Sequence, residues 1–400
     1  MTRTLFRGAL VVDGTGADAA GADISVEDRR IVEIGRGLDG DDEVDLSGKA
    51  VLPGLFDCHT HVMVSTIDPT KVAQTPFSYR WYQAMENLLA TLRIGITTAR
   101  DAGGADLGVK QAVADGLIPG PRLQISLAMI SQTGGHGDPW VASGSEVRLF
   151  PRHPGVPETI VDGTDEMRRK VRELVRMGAD VIKVAVSGGV LSPRDKPTHA
   201  HFRQEELDVL VEEATAAGIW VMAHAQATPG IKNGIRAGIR SIDHGIYLDD
   251  EAIAMMVDRG TWLVPTLVAP RGVIDAAEAG AAIAPQSVAK AREVTEVHRD
   301  SFARAVKAGV KVAMGTDSGV TPHGNNLREL SLMVEGGMTP MESIVATTRS
   351  AAELMGLEEE LGTLEPGKRA DLVVVEGDPL DVATLDQRIE AVYQDGRKVA

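Results

Sequence analysis

Two histidines one residue apart, His59 and His61, close the segment Asp57-Cys58-His59-Thr60-His61 directly after the apolar run Ala50-Val51-Leu52-Pro53-Gly54-Leu55-Phe56. In an extended strand alternate side chains share a face, so both imidazoles point the same way and can hold one metal ion. A solitary His-x-His arises by chance about as often as by function, so the weight falls on what lies downstream. Further groups with ligating or acid–base chemistry end other short apolar runs. They are Lys183 in Val181-Ile182-Lys183-Val184-Ala185, His224 in Trp220-Val221-Met222-Ala223-His224, His244 in Ile242-Asp243-His244-Gly245, and Asp317 in Met314-Gly315-Thr316-Asp317. Strand ends that deliver side chains in this way gather them at one mouth of a parallel barrel. Nitrogen and carboxylate donors suit Zn²⁺ first, and also Co²⁺, Mn²⁺ or Fe²⁺.

The elements that must position these groups follow from the hydrophobic pattern. Strand-like and helical stretches alternate eight times across the central region, the count a (β/α)8 TIM barrel requires. The predicted strands are 51–61, 95–101, 123–130, 181–187, 220–224, 241–244, 262–267 and 310–317. Between them, Glu205 to Ala217 places Leu207, Leu210, Val211 and Ala214 on one helical face and stops at Gly218, and Ser301 to Ala308 stops at Gly309. Both termini instead show short β-like runs separated by turns such as Asp13-Gly14, Ser47-Gly48, Pro366-Gly367 and Asp395-Gly396. The expectation is α/β architecture: a composite β-sandwich domain from residues 1–54 and 361–400, and a barrel over residues 55–360.

Two connections exceed what a barrel needs. One runs from Gln132-Thr133-Gly134-Gly135-His136-Gly137-Asp138 to about Thr164, the other from Gly188-Gly189 through Arg194, Lys196, His199 and His201. Long loops after barrel strands carry substrate specificity. His136 could there stabilise an oxyanion or hold a substrate carboxylate, or be a turn histidine without function. Arg100, beside Asp101 at the second strand end, reads first as part of a buried ion pair supporting the site and otherwise as a substrate contact.

At 400 residues and 43% hydrophobic, the chain can bury a large core and exceeds the usual size of one simple domain. A formal charge of −16 argues against nucleic acid or an anionic membrane as partner and says nothing about chemistry; the expected partner is a small-molecule substrate. No segment reaches the roughly 20 apolar residues of a membrane span, and Ala9-Leu10-Val11-Val12 is too short for a signal peptide. Cys58 is the sole cysteine, which excludes an intrachain disulfide, makes a reducing cytoplasm the expected location, and reads better as a buried thiol than as a ligand. A homo-oligomer is left open.

The order His59, His61, Lys183, His224, His244, Asp317, with its Gly-Leu-x-Asp-x-His-x-His and Gly-Thr-Asp segments, resembles the amidohydrolase superfamily over nearly the whole chain. The Gly-Gly-His-Gly-Asp loop, the Lys-x-x-x-Ser-Gly-Gly segment and Asp243-His244-Gly245 are most similar to its prolidase-like branch, which is related to Xaa-Pro dipeptidases and imidazolonepropionases. The resemblance implies two divalent metal ions: His59, His61 and Asp317 on one, His224 and His244 on the other. Lys183 bridges them, since an ammonium has no lone pair but a lysine carboxylated by CO₂ has two oxygen donors. It implies a bridging hydroxide as nucleophile, with Asp317 moving a proton from water to the leaving nitrogen. The expected reaction is hydrolysis of a C–N amide-type bond in a dipeptide or N-acyl amino acid. A urea, a carbamate, a cyclic amide or deamination is the alternative, and a catalytically dead scaffold is least favoured because all six positions are intact. This branch tends to carry His-Ala-Tyr at the fifth strand, whereas this chain has His224-Ala225-Gln226, which makes Gln226 a candidate specificity residue.

Overall fold

The computed structural model describes residues 2–192 and 194–400. The N-terminal segment supplies β1 (Thr4–Val11), β2 (Ala20–Glu27), β3 (Arg30–Gly35), β4 (Asp42–Asp45) and β5 (Lys49–Pro53). The central region supplies β6 (Leu55–Thr60), β7 (Ile96–Asp101), β8 (Arg122–Ile125), β9 (Met129–Ile130), β10 (Val181–Ala185), β11 (Trp220–Ala225), β12 (Ser241–His244) and β13 (Trp262–Val264). The C-terminal segment adds β14 (Leu372–Glu376), β15 (Ile389–Gln394) and β16 (Arg397–Lys398).

The two ends of the chain share one sheet, ordered β16-β15-β14-β5-β1-β2-β3 with β4 also on β1. Its seam is the antiparallel pairing of β5 with β14, from Leu372 opposite Pro53 to Glu376 opposite Lys49. A separate apolar cluster including Phe6, Ile24, Ile31, Val51, Leu372 and Tyr393 fills this layer. The predicted strand 51–61 is thereby divided: β5 belongs to the terminal sheet and β6 to the central region. Gly54 joins them because a Cβ there would lie 2.2 Å from Thr97 Oγ1 and 2.8 Å from Asp371 Cβ, so only a glycine passes between the layers.

The central strands pair in parallel as β6-β7-β8 and β13-β12-β11-β10-β9. β6, β7, β10, β12 and β13 are buried at every position, the mark of strands covered on both faces. Helices pack outside them, as Gln204–Ala216 does through Leu207, Leu210 and Ala214. The helix ending at Lys307 begins at Pro285, well before the predicted 301–308 stretch.

Three predicted strands are interrupted, each for a local reason. The run 123–130 breaks at Leu127, whose φ of 66° turns the chain so that β8 pairs with β7 and β9 with β10. The run 262–267 stops at Val264, because Pro265 lacks an N–H and Thr266 has φ 51°. The run 310–317 divides its bonds between two neighbours. Leu263 N donates to Lys311 O at 2.8 Å, while Cys58 N donates to Met314 O at 2.9 Å and Asp317 N to His59 O at 2.7 Å. Among the described residues no helix is long and apolar enough to cross a membrane.

Candidate metal centre and active-site cavity

The parallel register sets the depth of each candidate. Ala185 lies opposite His224 and Ala225 opposite His244, whereas Lys183 starts two residues deeper and reaches the same region on its longer stem. One ligand atom from each of His59, His244 and Asp317 falls within 4.8 Å of the others. His59 Nε2 is 3.4 Å and His61 Nε2 3.1 Å from the same atom, Asp317 Oδ1. The His59 and His244 ring centroids are 5.1 Å apart, those of His224 and His244 4.7 Å.

The opposite ring nitrogens are already engaged. His61 Nδ1 donates to Gly103 O at 2.9 Å, His244 Nδ1 meets Thr266 Oγ1 at 2.6 Å, and His59 Nδ1 faces Asp243 Oδ2 at 3.0 Å. Such outer partners fix the tautomer and leave the other nitrogen as a donor to a metal. Two imidazole nitrogens and one carboxylate oxygen converging on a single point are a donor set that fits a divalent ion.

Charge follows the same logic. Burial works against the Asp317 carboxylate, but His59 and His61 outweigh it and hold Asp317 well below the usual carboxylate range. Burial, with His136 and His244 nearby, keeps His224 well below the ordinary histidine range, and burial beside His59 does the same for His244. Both rings are therefore neutral and carry lone pairs at pH 7. Burial also lowers Lys183, whose Nζ donates to Asp243 Oδ2 at 2.7 Å. Asp243 itself stays ionised because Lys183, His59 and Arg100 together overcome its burial.

Residues 50–399 match the amidohydrolase family. The chain belongs to that family. It is 35% identical to the ochratoxinase of Aspergillus niger over 97% of this chain and 84% of that one. A solved Xaa-Pro dipeptidase with bound methionine is 33% identical, covers 99% of both chains and superposes with a TM-score of 0.90. A prolidase complexed with N-methylphosphonate-L-proline is 34% identical over 99% of both chains, also at 0.90. These likenesses place the fold in the TIM-barrel type and the chain in the prolidase-like branch, as a hydrolase of carbon–nitrogen bonds. Amidohydrolases generally use divalent metal ions.

The amidohydrolase cavity above these groups has a volume of about 430 Å³ and is lined by all six candidate ligands together with His136 and Gln226. Gln226 is 4% exposed, and its Oε1 is buried without a hydrogen-bond partner. Arg100 is not brought to the cavity. Its Nε donates to Cys58 O at 2.7 Å and its Nη2 to Ser241 Oγ at 3.2 Å, 3.6 Å from Asp243, so its contacts lie in the buried network beneath the cavity. A larger open cleft of about 1120 Å³, lined by Trp220, Arg240, Lys311 and Arg349 among others, contains none of the candidate groups.

Several residues that build the site carry no ligand signal in the sequence. Asp57 Oδ1 accepts from the main chain of His59 at 3.0 Å and of Thr316 at 3.2 Å; its Oδ2 accepts from Thr316 Oγ1 at 2.6 Å and Asn326 Nδ2 at 2.8 Å. It ties β6 to the segment bearing Asp317. Asp101 accepts from the amides of Val62, Gly103 and Ala105, and so holds the loop whose carbonyl orients His61. Asp57 and Asp101 sit in motifs that could have flagged them, whereas Thr266 and Asp195 are recognisable only from three-dimensional neighbours.

Proposed function

We propose that this amidohydrolase cleaves the amide bond of an N-acyl amino acid or dipeptide whose acyl part is bulky and apolar. The observation that carries this reading is one cavity with a ligand cluster at its base and apolar walls including Val64, Val72, Leu149, Phe150 and Ile283. His59, His61 and Asp317 would hold one divalent ion, zinc for preference, and His224 and His244 a second. Lys183, carboxylated by CO₂, would serve both. Burial favours its free amine, the form that reacts with CO₂, and the carbamate keeps one N–H, so the contact to Asp243 survives the modification. The ions, when bound, polarise the carbonyl and lower the pKa of water.

The chain's own groups do the rest. Water adds to the carbonyl carbon, the C–N bond breaks, and Asp317 carries one proton from the water to the departing nitrogen, a role suited to a carboxylate kept ionised. His136 and Gln226 meet the substrate from the cavity wall. Arg194, stacked over Trp140 with its guanidinium carbon 4.6 Å from the ring centroid, lines the same cavity and makes no ion pair among the described residues. It is suited to the substrate carboxylate.

The architecture proposed with this reading is a sandwich domain of residues 1–54 and 361–400 on a closed barrel of residues 55–360. Closure is supported by the bonds of 310–317 to β6 and β13, and by Asp180 N donating to Ile125 O at 2.8 Å beside β10. The deciding experiment screens dipeptides, N-acyl amino acids, phenylureas and carbamates with Zn²⁺-loaded protein of measured metal content. Release of amino acid from N-acyl amino acids or dipeptides is expected; turnover of ureas or carbamates alone overturns the assignment.

A further inference from the structure

His136 is held more tightly than a loop histidine requires. Its ring stacks on His224 with centroids 4.1 Å apart and planes at 15°. On its other face it lies against the backbone at Gly189, where a Cβ would come within 2.2 Å of His136 Cε1 and 2.5 Å of Nδ1. Only glycine at 189 leaves room for the ring. His136 Nδ1 is 2.8 Å from Ser192 Oγ and 3.5 Å from Asp195 Oδ2, and the Ser192 hydroxyl in turn donates to Asp195. Since Ser192 spends its proton on the carboxylate, its oxygen accepts, and the proton between the two belongs to His136 Nδ1. Nε2 is then the atom offered to the cavity.

The partners of His136 depend on a single ammonium. Lys290, on the helix Pro285–Lys307, donates from Nζ to Gly189 O at 3.1 Å, Ser192 O at 2.7 Å and Asp195 O at 2.7 Å. Its three donors satisfy the carbonyls of the three residues that form the slot, and Asp195 Oδ1 lies 3.6 Å away. Ser287, one helical turn earlier, donates to Leu191 O at 3.1 Å. Without the ammonium these carbonyls would face one another with no donor between them.

We propose that Lys290 is a positioning residue: it templates Gly189, Ser192 and Asp195 into a slot that fixes His136 with Nδ1 protonated and Nε2 turned to the substrate. The kinetic consequence rests on the function proposed above, whereas the state of the ring does not. Lys290→Met, Lys290→Arg and Asp195→Asn are compared with wild type in the zinc-loaded protein carrying ¹⁵N-histidine, with His136→Gln identifying the His136 resonances. Wild type should show a protonated, hydrogen-bonded Nδ1. Lys290→Met and Asp195→Asn should lose that signature, with kcat/KM falling on the order of 10- to 100-fold for the N-acyl amino acid turned over fastest, because small misplacements of a reacting contact cost that much. Metal content should stay at the wild-type level. Lys290→Arg should restore the signature and most of the activity. A His136 signature unchanged in Lys290→Met overturns the proposal, whether or not activity falls. If no substrate is found, the resonances still decide it, and if Lys290→Met does not fold, Lys290→Gln, which removes the charge and cannot serve all three carbonyls, is judged by the same criterion.

Discussion

Replacing Asp57 by Asn tests whether the junction between β6 and the 310–317 segment governs the metal centre. Asp57 is fully buried and accepts four hydrogen bonds. An Asn can keep the two main-chain bonds at Oδ1, but its amide then faces Thr316 Oγ1 and Asn326 Nδ2. The Thr316 hydroxyl can accept instead, since Ser318 Oγ at 2.7 Å is available for its proton. Asn326 cannot adapt so easily, because its own Oδ1 accepts from Gly324 N at 3.0 Å and would lose that bond on flipping. One buried N–H is left without an acceptor, costing about 1 to 3 kcal/mol, and a charge-assisted bond becomes neutral, costing about 1 kcal/mol more. Burial pushes the Asp57 carboxyl upward, so a neutral side chain recovers part of this. A net loss of about 2 kcal/mol is expected. With roughly 2.1 cal/mol/K of unfolding entropy per residue, about 0.8 kcal/mol/K for this chain, the midpoint should fall by about 2 to 3 °C. The assay is thermal unfolding of the metal-free protein, followed by zinc titration against a competing chelator, where affinity should fall as His59 and Asp317 lose their mutual register. An unchanged midpoint together with unchanged zinc affinity would refute the reasoning.

Asp317→Asn should lower kcat by about 10² to 10⁴-fold with a smaller change in KM, since a proton carrier acts in the transition state; a variant that retains its metal and its kcat removes Asp317 from that role. Gln226→Tyr should raise activity on dipeptides relative to the native substrate by about 1 to 3 kcal/mol in kcat/KM at constant metal content, and an unchanged ranking in both Gln226→Tyr and Gln226→Ala returns Gln226 to packing. Cys58, buried and pushed up to about 12 by that burial, should resist iodoacetamide at pH 8 until the protein is unfolded, as mass spectrometry would show. Burial raises Glu329 to about 8 from an ordinary 4.5, so in that interval the native state holds a proton that the unfolded chain has released. Its contribution is present in full below pH 4.5 and lost as the pH rises through about 8. Urea denaturation at pH 5 to 8.5 should therefore show wild type losing stability relative to Glu329→Gln as the pH rises, and parallel curves would count against it.

What the sequence makes legible is whatever repeats or lies close in the chain. Alternating apolar runs mark the strand ends that carry Lys183, His224 and His244, and the turn-rich termini mark strands that meet across more than 300 residues, as Lys49 and Glu376 do. It hides what depends on neighbours distant in the chain. Asp243, which the sequence shows only as the neighbour of His244, receives Lys183 and faces His59 and Arg100. Asp195 matters only because folding sets Ser192 and His136 beside it.

The interruptions of 262–267 and 310–317 belong to the same class, and they fall beside the candidate site. His244, Thr266 and Asp317 have φ of 71°, 51° and 60°, a region that costs a non-glycine residue about 1 kcal/mol or more. Each lies where a regular run ends: His244 presents an imidazole, Thr266 anchors that imidazole, and Asp317 presents the carboxylate. The surrounding bonds hold these conformations. His298 Nε2 donates to His244 O at 2.9 Å, Glu329 accepts from the amides of Leu267 and Val268 just after Thr266, and the Asp317 amide donates to His59 O. Hydrophobic periodicity marks where a strand should continue, whereas a site that aims three side chains at one point needs the chain to leave the strand there. Pattern reading therefore runs too far at 262–267 and 310–317, where the convergence of side chains overrides the local preference, whereas the strand 241–244 ends at His244 as expected.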